Sequence, residues 1–181
     1  MLKRLQNGSL ASGKLPEGCR LCARGSKLVL LVTGLCPASC YYCPLSDAKS
    51  GKDVTFADEM RVKRWQDILR EAEAIGAEGA GITGGDPLIV MRRTSRYIRA
   101  LKRQFGRDFH IHLYTASTDV DKVKAVVRSG LDEIRFHPPV GVWKRFARSG
   151  YPAAIKAAVK AGATAGVEVP AIPGSPLVDL L

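Results

Sequence analysis

Amide side chains are scarce in this chain: one asparagine, Asn7, and three glutamines among 181 residues. A shortage of thermolabile amides fits a protein adapted to high temperature. Long apolar runs are missing as well. None approaches the roughly 20 residues that span a bilayer, and Met1-Leu2-Lys3-Arg4-Leu5 has no apolar core of a signal peptide. These absences point to a cytoplasmic protein with no membrane segment, where thiols stay reduced. Acidic residues are few: 17 against 28 basic ones, a net charge of +11 that attracts polyanions. With 46% hydrophobic and 25% charged residues, the chain has the make-up of one soluble domain with its own core.

Residues 1–26 read as an N-terminal arm, because Gly8, Gly13, Pro16 and Gly18 interrupt any periodicity. From Lys27 strand and helix patterns alternate, so residues 27–181 read as the core domain. Leu28–Thr33 is a near-continuous apolar run, as in a parallel strand buried on both faces. A helix is expected from Asp58 to Ile75, with Val62, Trp65, Leu69 and Ala72 on its apolar face and a Thr55/Asp58 capping box. Gly79–Thr83 is the second strand. The basic helix after it stops at Gly106. Its Tyr97, Ile98, Leu101 and Phe105 face the core, and Arg92, Arg96, Arg99 and Arg103 share the other side. Phe109–Thr115 is the third strand, followed by a helix capped at Thr118-x-x-Asp121 and closed by Gly130. Glu133–His137 is the fourth. A helical piece near Val142–Arg148, a helix from Pro152 to Gly162 and a fifth strand, Thr164–Val169, complete the pattern; Pro170, Pro173 and Pro176 follow. This order predicts right-handed βαβ units around a parallel sheet, with functional residues beyond the C-terminal strand ends.

The cysteines carry the chemistry. Cys36-x3-Cys40-x2-Cys43 follows the first strand directly. Three thiolates on one loop can hold three irons of a four-iron cluster, which normally takes four. The fourth iron is then open to a small molecule, as at a catalytic zinc. A second motif, Gly84-Gly85-Asp86-Pro87, ends the second strand. Cys19-x2-Cys22 in the arm is a candidate for a second metal, zinc or another iron–sulfur cluster, for a redox pair, or for two structural thiols. One rival set remains. Cys19, Cys22, Cys40 and Cys43 have the spacing of a four-cysteine zinc ribbon that would bind nucleic acid. It leaves Cys36 unused and bends the chain across Leu28–Thr33.

The cysteine triplet, with Tyr42 before its last member, and Gly84-Gly85-Asp86-Pro87 resemble the two signatures of the radical S-adenosylmethionine (SAM) superfamily. Within it, the resemblance is to the activating-enzyme branch related to pyruvate formate-lyase activating enzyme. It implies a partial (β/α) TIM-like barrel, here of about five βα units rather than six. The chain therefore reads as truncated, or as completing its barrel with a partner. The resemblance further implies a 4Fe-4S cluster on Cys36, Cys40 and Cys43. SAM would be held through its amino and carboxylate groups at the open iron and cleaved reductively to a 5′-deoxyadenosyl radical that abstracts hydrogen. Gly84, Gly85, Asp86 and Pro87 would shape the site of the SAM amine, with Asp86 one methylene short of the family's Glu. Nothing in the chain resembles a flavin or nicotinamide site, so an external one-electron donor is implied.

Further cofactor-binding candidates follow from position. Tyr42 would meet the adenine or shield the cluster. Thr115 and Ser117 end the third strand, where ribose or carboxylate contacts would come. Arg135 and His137 share one face of the fourth strand, and Arg135 could pair with the SAM carboxylate. Glu168 could hold a ribose hydroxyl or Arg135. The substrate is not legible; the arginine face favours RNA or an acidic protein. A truncated chain that keeps the cluster but holds no substrate is a third reading.

Overall fold

A computed structural model describes residues 2–5 and 8–172. Pro173 and Pro176 lie outside the described residues. The chain opens with a small antiparallel ribbon, β1 (Leu2–Arg4) and β2 (Leu10–Ser12), and a seven-residue helix, α1 (Glu17–Ala23). Strand β3 (Lys27–Leu31) follows, then a hairpin of two-residue strands, β4 (Phe56–Ala57) and β5 (Met60–Arg61). Next come α2 (Trp65–Ala74), β6 (Gly79–Thr83), α3 (Met91–Phe105), β7 (His110–Thr115), α4 (Val120–Arg128) and β8 (Glu133–Phe136). A 3-10 segment (Val140–Arg148), α5 (Tyr151–Lys160) and β9 (Thr164–Val167) complete it. One sheet runs in the order β5-β4-β3-β6-β7-β8-β9, and its five strands from β3 to β9 are parallel. This is the parallel sheet the alternation predicts, in the partial TIM-like α/β fold the resemblance implies. Among the described residues, no helix is long and apolar enough to cross a membrane.

Because side chains alternate along a strand, the register divides the sheet into two unlike faces. On one, Leu28, Leu30, Ala80, Ile82, Ile111, Leu113, Ile134 and Phe136 are wholly buried. They pack under Ile68 of α2, Ile98 and Leu101 of α3, Val126 of α4 and Ala154 of α5. Each large side chain so buried contributes about 1.5–3 kcal/mol. The opposite face carries Lys27, His110, His112, Tyr114, Glu133 and Arg135, with glycines at 79, 81 and 166. Polar side chains lie over Gly81 and Gly166, and Leu21 over Gly79. A Cβ on Gly81 would stand 3.0 Å from His112 Nε2, and one on Gly166 2.7 Å from an Arg135 nitrogen. Helix α1 lies on this face against β6 and β7. Its Leu21 is buried, and Gly18 N–H donates to Glu133 Oε2 at 3.2 Å.

Two helix starts differ from expectation. Helix α2 begins at Trp65, not Asp58, because Phe56–Arg61 forms the hairpin that pairs with β3 through Leu30 and Leu31. Its start is held by Asp67, whose carboxylate accepts from Lys63 N–H and Arg64 N–H at 3.1 and 2.8 Å. Asp58 sits in the hairpin turn with φ +50°, and Thr55 donates to the Val32 carbonyl. Trp65 is exposed; Ile68 and Ala72 are the residues buried on α2. At α4 the cap is Asp119, not Thr118, accepting from the N–H groups of Asp121 and Lys122. An N-cap carboxylate satisfies donors that the first turn leaves free.

Candidate cluster and cofactor site

The loop bearing the cysteine triplet leaves β3 and returns before β4. Its two ends are fastened to each other. Gly34 N–H donates to Lys52 O and Gly51 N–H to Gly34 O, both at 2.9 Å. A Cβ on Gly34 would lie 1.7 Å from Lys49 O, so only glycine fits this neck. Asp53 braces the return. It accepts from Thr33 Oγ1 at 2.9 Å and takes both ends of the Arg93 guanidinium at 2.8 and 2.6 Å. That hydrogen-bonded guanidinium holds the Asp53 carboxyl below the usual carboxylate range.

The second motif grips the start of the same loop. Gly85 N–H donates to Thr33 O at 2.7 Å and Asp86 N–H to Leu35 O at 2.8 Å. Added Cβ atoms on Gly84 and Gly85 would stand 2.3 and 2.1 Å from the Thr33 and Leu35 carbonyl oxygens. The missing side chains thus make room for the protein's own backbone, and Gly84 also has φ +148°. Asp86 is almost wholly buried and fully engaged. Its carboxylate accepts from Thr115 Oγ1 at 2.8 and 3.0 Å, Ala116 N–H at 3.0 Å and Leu88 N–H at 2.9 Å. It staples the end of β6 to the end of β7. Pro87 presents its carbonyl to Thr94 Oγ1 at 2.7 Å.

These ties bring both motifs to one cavity of about 620 Å³ beyond the C-terminal strand ends. Cys36, Cys40 and Cys43 line it together with Gly84 and Gly85. All three thiols are free. Cys36 and Cys43 are exposed and Cys40 half-buried, with Cys43 N–H donating to Cys40 O at 3.0 Å. Burial pushes the Cys36 thiol up. Tyr42 stands between Tyr41 and His137, with ring centroids at 5.0 and 5.8 Å. Its hydroxyl is buried without a hydrogen-bond partner, and burial, with the neighbouring Cys40, pushes its pKa up to about 12.

The other candidates divide. Tyr42, Thr115, His137 and Glu168 line the cavity; Asp86, Pro87, Ser117 and Arg135 are not among its lining residues. Thr115 spends its hydroxyl on Asp86 and accepts from Ser117 N–H, while Ser117 Oγ accepts from Asp119 N–H. Arg135 is turned to Glu133, Nη2 to Oε1 at 2.6 Å, with Cys19 Sγ 3.9 Å away. That pairing, not a carboxylate in the cavity, occupies its guanidinium. Tyr114 and Ala116 also line the cavity and were not among the candidates. Tyr114 shares the face of His112, so the strand's alternation could have found it.

Cys19 and Cys22 lie exposed on α1. Among the described residues, no three Cys, His, Asp or Glu side chains are placed to hold a metal ion. Nothing in the structure supports the four-cysteine zinc arrangement, and Leu28–Leu31, which it would bend, lies in a central strand. Soft donors, an open cavity and no competing disulfide fit a 4Fe-4S cluster held by Cys36, Cys40 and Cys43.

Comparison with known proteins agrees with this geometry. A protein of Methanocaldococcus jannaschii, named as a candidate glycyl-radical enzyme activating enzyme, is 46% identical over 127 residues, 69% of this chain. The chain spans about a third of that relative's length, 34%. Residues 30–175 match the radical SAM superfamily, a stretch that includes both motifs and every parallel strand apart from the first residues of β3. The chain belongs to the radical SAM superfamily.

Proposed function

We propose that this chain is the core of a radical SAM enzyme that takes hydrogen from a polypeptide partner. The observation that carries the reading is the convergence of Cys36, Cys40, Cys43, Gly84 and Gly85 on one cavity. When bound, the cluster supplies one electron from an external donor to break a sulfonium C–S bond of SAM. The protein's own part is to bind, orient and exclude water. The neck at Gly34 and the bond from Asp86 N–H to Leu35 O hold the base of the cysteine loop against the strand ends. Tyr42 covers one side of the triplet. Glu168 offers a carboxylate on the wall for a sugar hydroxyl, and His137 offers a ring nitrogen as donor or acceptor. The relative's name supports an activating-enzyme role and a protein substrate. The same reading keeps residues 27–181 as the core, with residues 1–26 appended.

The test is anaerobic reconstitution, with assay of iron, sulfide and zinc, then dithionite and SAM with detection of 5′-deoxyadenosine. About four irons per chain and deoxyadenosine are expected. Cys36→Ala should abolish both, and Cys19→Ala should leave the iron in place. Zinc without iron, with no deoxyadenosine, would refute the reading.

A further inference from the structure

His137 is the last residue of this stretch to line the cavity. The chain turns outward through Pro138-Pro139 into the 3-10 segment Val140–Arg148, which is clamped at both ends. Trp143 Nε1–H donates to Pro138 O at 2.9 Å. Phe146 stacks on Tyr151 at 5.7 Å, and Tyr151 Oη donates to Ala116 O, on the cavity wall, at 2.7 Å. Beyond the segment, a Cβ on Gly150 would press Thr118 Oγ1 at 2.8 Å. The segment is thus a fixed lip, not a loose loop.

Its charge is of one sign. Lys144, Arg145 and Arg148 are exposed, and the segment holds no acidic residue. Among the described residues, none of the three has an ion-pair partner. The acids at the start of α4 pair within their own helix, Asp119 with Lys122 at 3.9 Å and Asp121 with Lys124 at 4.0 Å. Glu168, inside the cavity, is the acid that an incoming anion would meet. Exposed apolar side chains accompany the charges, Val140 on the lip and Tyr41 on the cysteine loop, the latter 79% exposed. The arginines of α3 differ in place. Neither set lines the cavity, but the lip starts three residues after the wall residue His137, whereas these arginines stand on the helix layer and Arg99 is bonded to Ser129.

We propose that Val140–Arg148 is the docking lip for an acidic polypeptide segment, paired to Lys144, Arg145 and Arg148 while adjoining residues enter the cavity. This rests on the reading of the cavity as the place of hydrogen abstraction from a polypeptide. Mixed apolar and cationic contacts suit a peptide chain, whose carboxylates and apolar side chains can meet both. Exposed charge pairs are individually weak and screened by salt, so the three should act together.

The experiment uses reconstituted protein and fluorescence anisotropy, with a labelled octaglutamate peptide and a labelled octathymidylate as probes. Replacing Lys144, Arg145 and Arg148 together by Ala should weaken octaglutamate binding about tenfold. Replacing Arg92, Arg96 and Arg103 together by Ala should change it less than about twofold. The lip variant should still form 5′-deoxyadenosine from SAM without partner at the unaltered rate. Failure of the cavity reading would show separately, as no deoxyadenosine from the unaltered protein. Equal weakening by both triple variants, or by neither, overturns the lip. So does tighter binding of octathymidylate through Lys144, Arg145 and Arg148, which would make the lip a nucleic-acid contact.

Discussion

Asp86 offers the sharpest test of how the site is held. In Asp86→Ala, three donors lose their acceptor at once: Thr115 Oγ1–H, Ala116 N–H and Leu88 N–H. Each buried donor left without a partner costs about 1–3 kcal/mol. Thr115 can turn toward another acceptor, so the expected loss is about 3–5 kcal/mol, a large part of a domain's usual 5–15. Asp86→Asn keeps one acceptor oxygen and should cost about 1–2 kcal/mol. Asp86→Glu restores the family's residue but forces a methylene into a site only 1% exposed. It should cost about 1–3 kcal/mol. Guanidinium unfolding of the anaerobic protein reads all three, with the slope checked for constancy. Should the carboxylate act as a staple, Asp86→Asn will bind SAM within a few-fold of the unaltered protein. An Asp86→Ala midpoint within about 1 kcal/mol of the unaltered protein, together with lost SAM binding, would show that the carboxylate serves a ligand instead.

Other outcomes follow from the same geometry. His112 is held neutral, with its pKa lowered to about 3, by burial first and then by the charge of Lys27. The unfolded chain binds that proton near pH 6.5 while the folded one does not, so stability should fall as pH drops from 6.5 to 3, by on the order of 5 kcal/mol from this group. His112→Gln should flatten that part of the pH–stability curve; an unchanged curve would refute the assignment. Gly34→Ala cannot place its Cβ beside Lys49 O. It should open the loop neck and reduce iron uptake while leaving the far-ultraviolet dichroism of the sheet and helices unchanged. Arg93→Ala removes both bonds to Asp53. Its effect should be about 1–3 kcal/mol, and the Asp53 carboxyl should titrate closer to an ordinary aspartate.

The alternation of apolar runs with helical stripes was enough to find all five parallel strands, because burial on the helix side demands residues such as Leu28, Ile82, Ile111 and Ile134 at alternate positions. The β4–β5 hairpin was not legible. Two-residue strands carry no period, and Phe56 and Ala57 become strand only by pairing with β3. The same reason moved the start of α2. Three cysteines and a Gly-Gly pair announced the site by their spacing. The carboxylate staple did not, since Asp86 and Thr115 are 29 residues apart and only the parallel register brings them together. Arg135 was read toward the cavity because it alternates with Ile134. Glu133, two residues away on the same face, takes its guanidinium at 2.6 and 2.7 Å.

The closed neck of the cysteine loop separates two kinds of opening. With Gly34, Gly51 and Lys52 joined at its base and Leu35 O tied to Asp86 N–H, the loop is an Ω-like excursion fastened to the sheet at its base. Residues 35–50 can therefore exchange, breathe or be emptied as one small cooperative unit while β3 and β6 stay paired. Hydrogen exchange should resolve two populations of amides, a fast set inside the loop and a slow set on the central strands. The protein would then behave as a stable frame carrying a removable cassette, so loading and loss of the cassette's contents need not pass through unfolding of the frame.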